Sequence, residues 1–187
     1  MEFYDQVFTK ENYTITPLTK GKYEQCKFDG CNFNNCDLSN IKFIQCTFIN
    51  CDLSLVKLDK TILQDAVFKD CKMLGLHFYK CNEFALSFQF TNCQLNHSSF
   101  FNTKIKNTKF VSCQLKECDY KQADLTSALF DNCDFLDAHF ENTNLEKADF
   151  RTSFNYQLAP ELNKIKKANF SLNGLPGLLN HHGIIIE

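Results

Sequence analysis

The stretch CKFDGCNFNNCDLSN, residues 26–40, places a cysteine at every fifth position, and a large apolar residue follows each cysteine by two positions. The three pairs are Cys26 with Phe28, Cys31 with Phe33, and Cys36 with Leu38. A period of five matches neither the 3.6-residue turn of an α-helix nor the two-residue alternation of a β-strand. The fold class therefore depends on which structure repeats a small and a large residue every five positions.

This five-residue period extends over most of the chain. If the large apolar residue is taken as the centre of each unit, one frame covers residues 23–78 and a second frame covers residues 95–150. The second frame is displaced, so residues 82–93 between them either gain two residues or lose three. Glu83 falls where a centre belongs. Because burying a lone carboxylate is costly, we expect Glu83 to point outward beside a local kink or bulge.

All eleven cysteines occupy the small position of the unit, two residues before a centre. They are Cys26, Cys31, Cys36, Cys46, Cys51, Cys71, Cys81, Cys93, Cys113, Cys118 and Cys133. Ala, Ser, Thr, Val and Ile occupy the same position in other units, so the position requires a small volume, which a buried free cysteine provides. Metal ligands would not be interchangeable with alanine. The pattern therefore favours cysteine as a space-filling residue over zinc sites or disulfides.

A small residue, an outward residue, a large centre and two more outward residues predict a short extended segment followed by a corner. Four such segments would close a square coil of about 20 residues, and coils would stack at about 4.8 Å. Asparagine, which tolerates the left-handed backbone region, suits the corners. Centres 20 positions apart would then stack as aromatic columns. The predicted column contains Phe28, Phe48, Phe68 and Phe88, with Phe110, Phe130, Phe150 and Phe170 beyond the frame shift.

The tandem units CDLSN, ADLTS and ADFRT resemble the A-[DN]-[LF]-x-x motif of the pentapeptide repeat family over about residues 21–155. This resemblance implies an all-β fold, a right-handed quadrilateral parallel β-helix with a short C-terminal helix. We expect residues 1–20 to form an N-terminal cap, residues 21–155 to form the β-helix, and residues 156–187 to form a loop, a last coil and a C-terminal element.

The C-terminal segment differs in kind from the repeats. Pro176 can open a short helix, Gly183 can end it, and residues 184–187 resemble a final strand. The layout is similar to that of Qnr-type fluoroquinolone-resistance proteins, whose helix and strand form a two-fold dimer. The resemblance implies a homodimer interface, and the alternative is that the tail folds back over the last coil. The interface residues would be Leu175, Leu178, Leu179, Ile184, Ile185 and Ile186.

Composition excludes several classes of protein. The 187 residues carry 20 basic and 22 acidic side chains, a net charge of −2, whereas nucleic-acid-binding proteins usually have a basic excess. No apolar run approaches the roughly 18–20 residues that span a bilayer. The first ten residues, MEFYDQVFTK, are not typical of a signal peptide. The sequence predicts a cytoplasmic protein that contacts neither membrane nor nucleic acid directly.

The histidines and motifs give no evidence of catalysis. His77, His97 and His139 each occupy outward positions singly, while His181 and His182 lie beside Gly183, and we interpret all five as exposed residues rather than ligands or bases. The sequence has no glycine-rich phosphate loop, nucleophile elbow or HExxH motif. A rod filled with side chains also leaves no interior pocket. We therefore predict a protein that is not an enzyme, with no catalytic residue, no metal and no cofactor.

Residues 117–149 are strongly acidic, with nine carboxylates against Lys121 and Lys147. These carboxylates, called the acidic set below, are Glu117, Asp119, Asp124, Asp131, Asp134, Asp137, Glu141, Glu146 and Asp149. On a rod about as wide as a DNA duplex, such carboxylates could imitate phosphates. The alternative is that aspartate is simply the preferred residue before a centre and confers solubility.

Two hypotheses for function follow. Some pentapeptide repeat proteins are DNA mimics that bind type II topoisomerases, so the resemblance implies a protein partner such as DNA gyrase or topoisomerase IV. The second hypothesis is a general interaction scaffold with an unrelated partner, bound by another face or by the segment NYQLAPELNKIKK, residues 155–167. A map of charge over the four faces distinguishes them, because mimicry needs one long negative face.

Overall fold

The computed structural model describes residues 1–185, apart from the side chain of Ala85. The chain is a four-sided parallel β-helix, which confirms the predicted fold class. Its strands are β1 (Glu2–Tyr4), β2 (Val7–Thr9), β3 (Lys22–Glu24), β4 (Lys27–Asp29), β5 (Lys42–Ile44), β6 (Thr47–Ile49), β7 (Ile62–Gln64), β8 (Ala66–Lys69), β9 (Phe88–Thr91), β10 (Lys109–Val111) and β11 (Leu129–Asp131).

The four sides are named here by their backbone ladders. Face 1 carries the parallel sheet β1-β3-β5-β7, and face 2 carries the sheet β2-β4-β6-β8-β9-β10-β11. On faces 3 and 4, isolated parallel bridges join successive coils. Examples are Asp52 with Lys72 on face 3 and Asp119 with His139 on face 4. Because β1 and β2 pair with β3 and β4, the residues expected to form an N-terminal cap form a first coil.

Face 2 contributes an unbroken aromatic column to the core. Neighbouring rings are 4.7–5.4 Å apart between centroids, with planes inclined by 8–29°, so each ring is stacked on the next. The column is Phe8, Phe28, Phe48, Phe68, Phe90, Phe110, Phe130, Phe150 and Phe170. The predicted column is therefore confirmed except at one level. Phe90, and not Phe88, stacks between Phe68 and Phe110.

Corners are formed by residues in the left-handed backbone region, as the asparagine content predicts. Asn35, Asn50 and Asn142 have φ values of 58°, 53° and 54°. Short polar side chains adopt this region more readily than most other residues. The N–H group of each of these corner residues donates to the next coil, as in the 2.8 Å bond from Asn35 to the carbonyl of Ser54. Each corner therefore both turns the chain and extends the ladder.

The cysteines lie inside the β-helix as free thiols, and all are buried except the half-buried Cys36. Most of the buried thiols bond to backbone carbonyls, as Cys71 does to Phe48 in the preceding coil at 3.5 Å. Burial raises the pKa of Cys46 and of Cys81 to about 12, so both stay protonated near neutral pH. This burial agrees with the interpretation of cysteine as a space-filling residue.

The frame break consists of two added residues on face 1. Ala66 pairs with Phe88 and Phe68 with Phe90, an offset of 22, whereas Thr47 pairs with Val67 at an offset of 20. The added length forms a 3-10 turn over Glu83–Ala85, with Asn82 accepting a 3.1 Å hydrogen bond from the Phe84 N–H. Glu83 is exposed, as expected.

Phe88 explains why the core remains filled at the frame break. It occupies the small position of its unit, opposite Ala66, yet it is a large ring that is only 3% exposed. Its centroid lies 5.2 Å from that of Phe78 and 6.2 Å from that of Phe100, two core rings of face 4. The added residues leave face 1 without a regular centre at this level, where the buried Phe88 ring and the partly buried Leu86 side chain pack into the core.

The C-terminal segment begins with a 3-10 turn over Pro160–Leu162, and Phe170 then completes the aromatic column. A second 3-10 turn (Leu172–Gly174) leads into the single short helix α1 (Pro176–Leu179) and a third turn over Asn180–His182. Pro176 opens the helix as predicted. Gly183, with φ of 64°, ends the following turn.

Close packing against Tyr156 holds this tail on the last coil. Gly174 and Gly177 lie so near the Tyr156 side chain and backbone that a Cβ atom at either glycine would overlap with it. The Leu158 N–H also donates to the Gly177 carbonyl at 2.9 Å. Ile184 and Ile185 are not in a strand, and the rest of the predicted strand lies outside the described residues. No helix within residues 1–185 has the length and apolar character to cross a membrane.

Candidate interaction surface

The interior offers no room for a ligand along the first half of the β-helix. The void among the core side chains there, between Leu38 and Phe78, measures about 10 Å³. A cavity needs roughly 10–15 Å³ to hold one water molecule. Stacked rings continue through the second half of the core, and a cleft of about 510 Å³ lies at the open end of the first coil. Any binding function must therefore use the outside of the rod.

The acidic set is spread over all four faces rather than gathered on one. Face 3 carries three of its members, and each of the other faces carries two. Asp124 and Glu146 lie on face 1, and Asp131 and Asp149 lie on face 2. Glu117, Asp134 and Asp137 lie on face 3, and Asp119 and Glu141 lie on face 4. The structure brings together Glu117 and Asp137, which lie at successive corners of face 3. It forms a ring of carboxylates around the rod, not a long negative face.

Four members of the acidic set stabilise the turn in which they lie. The carboxylates of Asp119, Asp124, Asp134 and Asp149 each accept the backbone N–H two residues later, at 3.0–3.2 Å. Asn82 makes the same bond with an amide oxygen. This geometry gives the physical reason for aspartate before a centre, because its side chain caps the following corner. Those four residues therefore have a structural role whatever else they bind.

Basic side chains neutralise part of the acidic set. Lys106 lies 3.2 Å from Asp124 and Lys116 lies 3.2 Å from Asp134. Burial acts to raise the pKa of the Asp124 carboxyl, but hydrogen bonds from Thr126 and Lys106 outweigh it, and the pKa is lowered. These ion pairs reduce the negative potential that each face can present.

A further ion pair involves Asp149, whose two carboxylate oxygens both bond to the Arg151 guanidinium. The bond from Arg151 holds the pKa of Asp149 below its usual range. Lys121 lies 3.6 Å from Glu141, another member of the acidic set.

Three exposed rings, His77, Tyr79 and Phe101, lie together beside the frame break, and Phe84 projects from the inserted turn that borders the same cleft. We call these four residues the aromatic surface. The Tyr79 and Phe101 rings meet edge to face at 6.3 Å, and the His77 ring lies 5.4 Å from Tyr79. Phe84, on the inserted turn, is 92% exposed. A cleft of about 170 Å³ separates Tyr79 and Phe101 from the inserted turn.

The sequence contained an indication of this surface that its periodicity concealed. Tyr79 and Phe101 immediately follow the centres Phe78 and Phe100, in an outward position that is polar in most other units. The doublets FY and FF therefore place one ring inside the rod and the next ring outside it. An aromatic residue directly after a centre is the pattern that would have found the cluster.

The predicted dimer residues occupy different environments. Leu178 is buried against the core and Leu179 is half-buried, so these two fix the tail to its own chain. Leu175, Ile184 and Ile185 are exposed. Ile186 lies outside the described residues. Part of the set thus caps the last coil, and part remains free for another contact.

Comparison with known families agrees with the repeat geometry. A model of a pentapeptide repeat region matches residues 16–82 and 41–117, and a model of eight pentapeptide repeats matches residues 121–153. The chain belongs to the pentapeptide repeat family. No curated protein sequence matches this pentapeptide repeat protein.

Solved structures share the fold at low sequence identity. QnrB1, a plasmid-mediated fluoroquinolone resistance protein, is 16% identical in a trypsin-treated form, with 100% of both chains covered and a TM-score of 0.65. HetL, a pentapeptide repeat protein involved in heterocyst differentiation regulation from the cyanobacterium Nostoc sp. strain PCC 7120, is 15% identical. That match covers 93% of this chain and 86% of HetL, with a TM-score of 0.66. At this identity the similarity establishes the fold alone.

Proposed function

We propose that this pentapeptide repeat protein is not an enzyme and acts by binding a partner protein on the outside of its β-helix. The aromatic surface is the observation that supports this proposal most directly. Exposed aromatic side chains that lie together are typical of protein interfaces, where a few of them supply most of the binding energy. The filled core leaves the outside of the rod as the place where specificity can be built.

The inserted turn makes the aromatic surface different from the rest of the rod. Other exposed apolar side chains, such as Leu55 and Leu136, lie on the regular coils, whereas the added residues project Phe84 away from face 1. Insertions that interrupt a regular ladder often mark functional positions. A partner could insert an apolar group into the cleft between Phe101 and the turn, with Phe84 packed against it.

We propose a type II topoisomerase, DNA gyrase or topoisomerase IV, as the first partner to test. Full-length similarity in fold to QnrB1, a fluoroquinolone resistance protein, supports this choice. The spread of the acidic set over four faces supports direct aromatic contact more than imitation of DNA phosphates. Glu117 and Asp137 are the best candidates for mimicry, because they occupy neighbouring corners and cap no turn of their own. The alternative remains a scaffold with an unrelated partner.

A gyrase supercoiling titration, with and without ciprofloxacin, tests the topoisomerase proposal. We expect the protein at micromolar concentration either to inhibit supercoiling or to protect gyrase from the drug. Phe84→Ala should weaken that effect by about tenfold or more, as loss of an interface anchor does. Ile15→Ala, an exposed apolar residue far along the rod, is the matched control and should behave as the wild type.

The outcomes separate the hypotheses. Loss of the effect in Glu117→Gln/Asp137→Asn, with Phe84→Ala unaffected, would favour DNA mimicry. No effect of the wild type on intact gyrase or topoisomerase IV would reject the topoisomerase. Cross-linked capture should then recover a partner with wild-type and Ile15→Ala bait but not with Phe84→Ala. Recovery of no partner, with or without residues 155–167, would contradict the scaffold.

We also propose that the protein forms a two-fold homodimer through its tail, in the cytoplasm. The exposed Leu175, Ile184 and Ile185 support the dimer, and eleven free thiols fit a reducing compartment. Light scattering coupled to size-exclusion chromatography should give twice the mass of the chain, and Leu175→Glu should give a monomer. A monomeric wild type over the micromolar range would mean that the tail only caps the β-helix.

A further inference from the structure

Three side chains from two separate segments converge at the C-terminal end of the rod. Glu161 lies on the Pro160–Leu162 turn, while His181 and His182 lie on the last turn of the tail. The His181 Nε2 atom is 2.6 Å from the Glu161 Oε1 atom, and the two imidazole centroids are 4.0 Å apart. One possible ligand atom from each residue lies within 4.8 Å of the other two. Both turns place these groups on the protein exterior.

We propose that Glu161, His181 and His182 bind a divalent transition-metal ion of the zinc class. Two imidazole nitrogens and one carboxylate oxygen form a donor set that suits Zn²⁺, whereas Mg²⁺ and Ca²⁺ prefer oxygen ligands alone. Three protein ligands leave a fourth position for water in a tetrahedral site. The small movement that places all three atoms around one ion is accessible to exposed side chains.

The surrounding charges favour such a site. The Glu161 carboxyl lies beside both imidazoles, and its Oε1 atom already contacts the His181 Nε2 atom. His181 also lines a cleft of about 430 Å³ with Asp137, Glu141 and Lys121. Because Lys121 pairs with Glu141, Asp137 supplies the excess negative charge beside the cluster.

A bound ion would attach the end of the tail to the body of the rod. The tail already packs on Tyr156 through Gly174 and Gly177, but its last turn, Asn180–His182, is largely exposed. An ion shared between this turn and Glu161 would fix it to a second point. Because an ion that binds the folded state alone stabilises it, the tail should open less often when metal is present.

Calorimetric titration of the reduced full-length protein with Zn²⁺ tests the proposal. We expect one ion per chain, no binding of Mg²⁺, and weaker Zn²⁺ binding as the pH falls and protons compete for imidazole. Glu161→Gln and His181→Asn/His182→Asn should each weaken binding by at least about tenfold, which is about 1.4 kcal/mol. The matched control is His97→Asn, because His97 and Glu117 form a similar pair at 3.2 Å without a third ligand among the described residues.

Two further measurements make the result specific. Co²⁺ should give a visible spectrum typical of nitrogen and oxygen ligands, and a sulfur-to-cobalt charge-transfer band would instead place the metal on cysteine. Zn²⁺ should slow amide exchange in residues 176–185 of the wild type but not of Glu161→Gln, whose circular dichroism should be unchanged. Failure of the wild type to bind Zn²⁺ at micromolar concentration, or binding that survives both ligand variants, would overturn the proposal.

Discussion

Faces 1 and 2 respond differently to the two residues inserted on face 1. On face 2 the sheet continues past this insertion, since β8 pairs with β9 and the Phe68 and Phe90 rings stack at 5.3 Å. On face 1 the sheet ends at β7, and beyond the insertion its ladder consists of isolated bridges, from Lys104 with Asp124 to Asn144 with Lys164. Extra length is therefore absorbed on a single side, while the neighbouring side keeps its register.

This difference indicates that a filled core contributes more to stability than a regular five-residue unit does. Face 2 keeps both its backbone ladder and its aromatic column, and either would resist a slip in register. Face 1 has no strand at this level, although the Asn82 and Ser87 N–H groups still donate to carbonyls of the preceding coil. The Phe88 ring packs into the core from the adjacent small position. Stability at the insertion should thus depend on Phe88 and hardly at all on the turn that projects outside.

Phe88→Ala tests this dependence and carries the largest expected effect. Removing a buried ring leaves a cavity that the surrounding stacked rings cannot close, so the free energy of unfolding should fall by about 3–5 kcal/mol. Phe84→Ala, in the same insertion but exposed, should change it by less than about 0.5 kcal/mol. Urea unfolding followed by circular dichroism measures both. Equal losses in the two variants would contradict the assignment of Phe88 to the core.

If the insertion displaced the regular centre of face 1, deleting the added residues should refill the cavity that Phe88→Ala creates. Removing Glu83 and Ala85 converts the segment to CNFLS, a regular unit with Phe84 as its centre. In the Phe88→Ala background this deletion should restore about 1.5–3 kcal/mol, the value of burying one phenylalanine. In the wild-type background two rings would compete for one space, so the same deletion should destabilise the protein.

The sequence predicted the features that repeat every five residues, but it did not locate the single two-residue insertion. The spacing of phenylalanines predicted the aromatic column, but residues 82–93 fit equally well two residues gained or three lost. Counting by 20 therefore placed Phe88 in the column, because the offset of 22 is visible only in backbone pairings such as Ala66 with Phe88 and His77 with Ser99. The outward position of Glu83 could be predicted, since the cost of burying a carboxylate does not depend on register.

The candidate sites were harder to predict for the same reason. The capping role of Asp124 and Asp149 follows from their place before a centre, and it is local enough to infer from sequence. The meeting of Glu161 with His181 is not local. It depends on how the tail turns back over Tyr156, which in turn depends on close packing at Gly174 and Gly177. No periodic pattern encodes that approach.

Thiol labelling compares the stability of the two faces locally. Cys81 lies in the small position just before the insertion on face 1, and Cys93 follows closely after β9 of face 2. Segments with fewer ladder hydrogen bonds open more often, so N-ethylmaleimide should modify Cys81 several times faster than Cys93. Peptide mass spectrometry after timed quenching measures both, with the half-buried Cys36 as the fast reference. Cys93 modified as fast as Cys81 would show that the coil also opens at the corner after β9.

Acid stability offers the smallest and most local comparison. Asp149 on face 2 and Asn144 on face 1 cap equivalent corners, bonding to the N–H groups of Arg151 and Glu146. Because its bond from Arg151 lowers the pKa of Asp149, the folded state favours the carboxylate. Its contribution is present above the ordinary aspartate value, about 3.9, and is lost as the pH falls through the lower folded value.

The free energy of unfolding of Asp149→Asn should therefore fall less than that of the wild type below about pH 4. At neutral pH the variant should be less stable by under about 1 kcal/mol. Asn144→Asp should add an acid-sensitive contribution to face 1, where the native amide cannot titrate. Urea unfolding at about pH 7 and about pH 3, on either side of the aspartate titration, measures the difference for each variant. If Asp149→Asn lost stability equally at both pH values, Asp149 would act through its geometry alone, and charge would not distinguish the two corners.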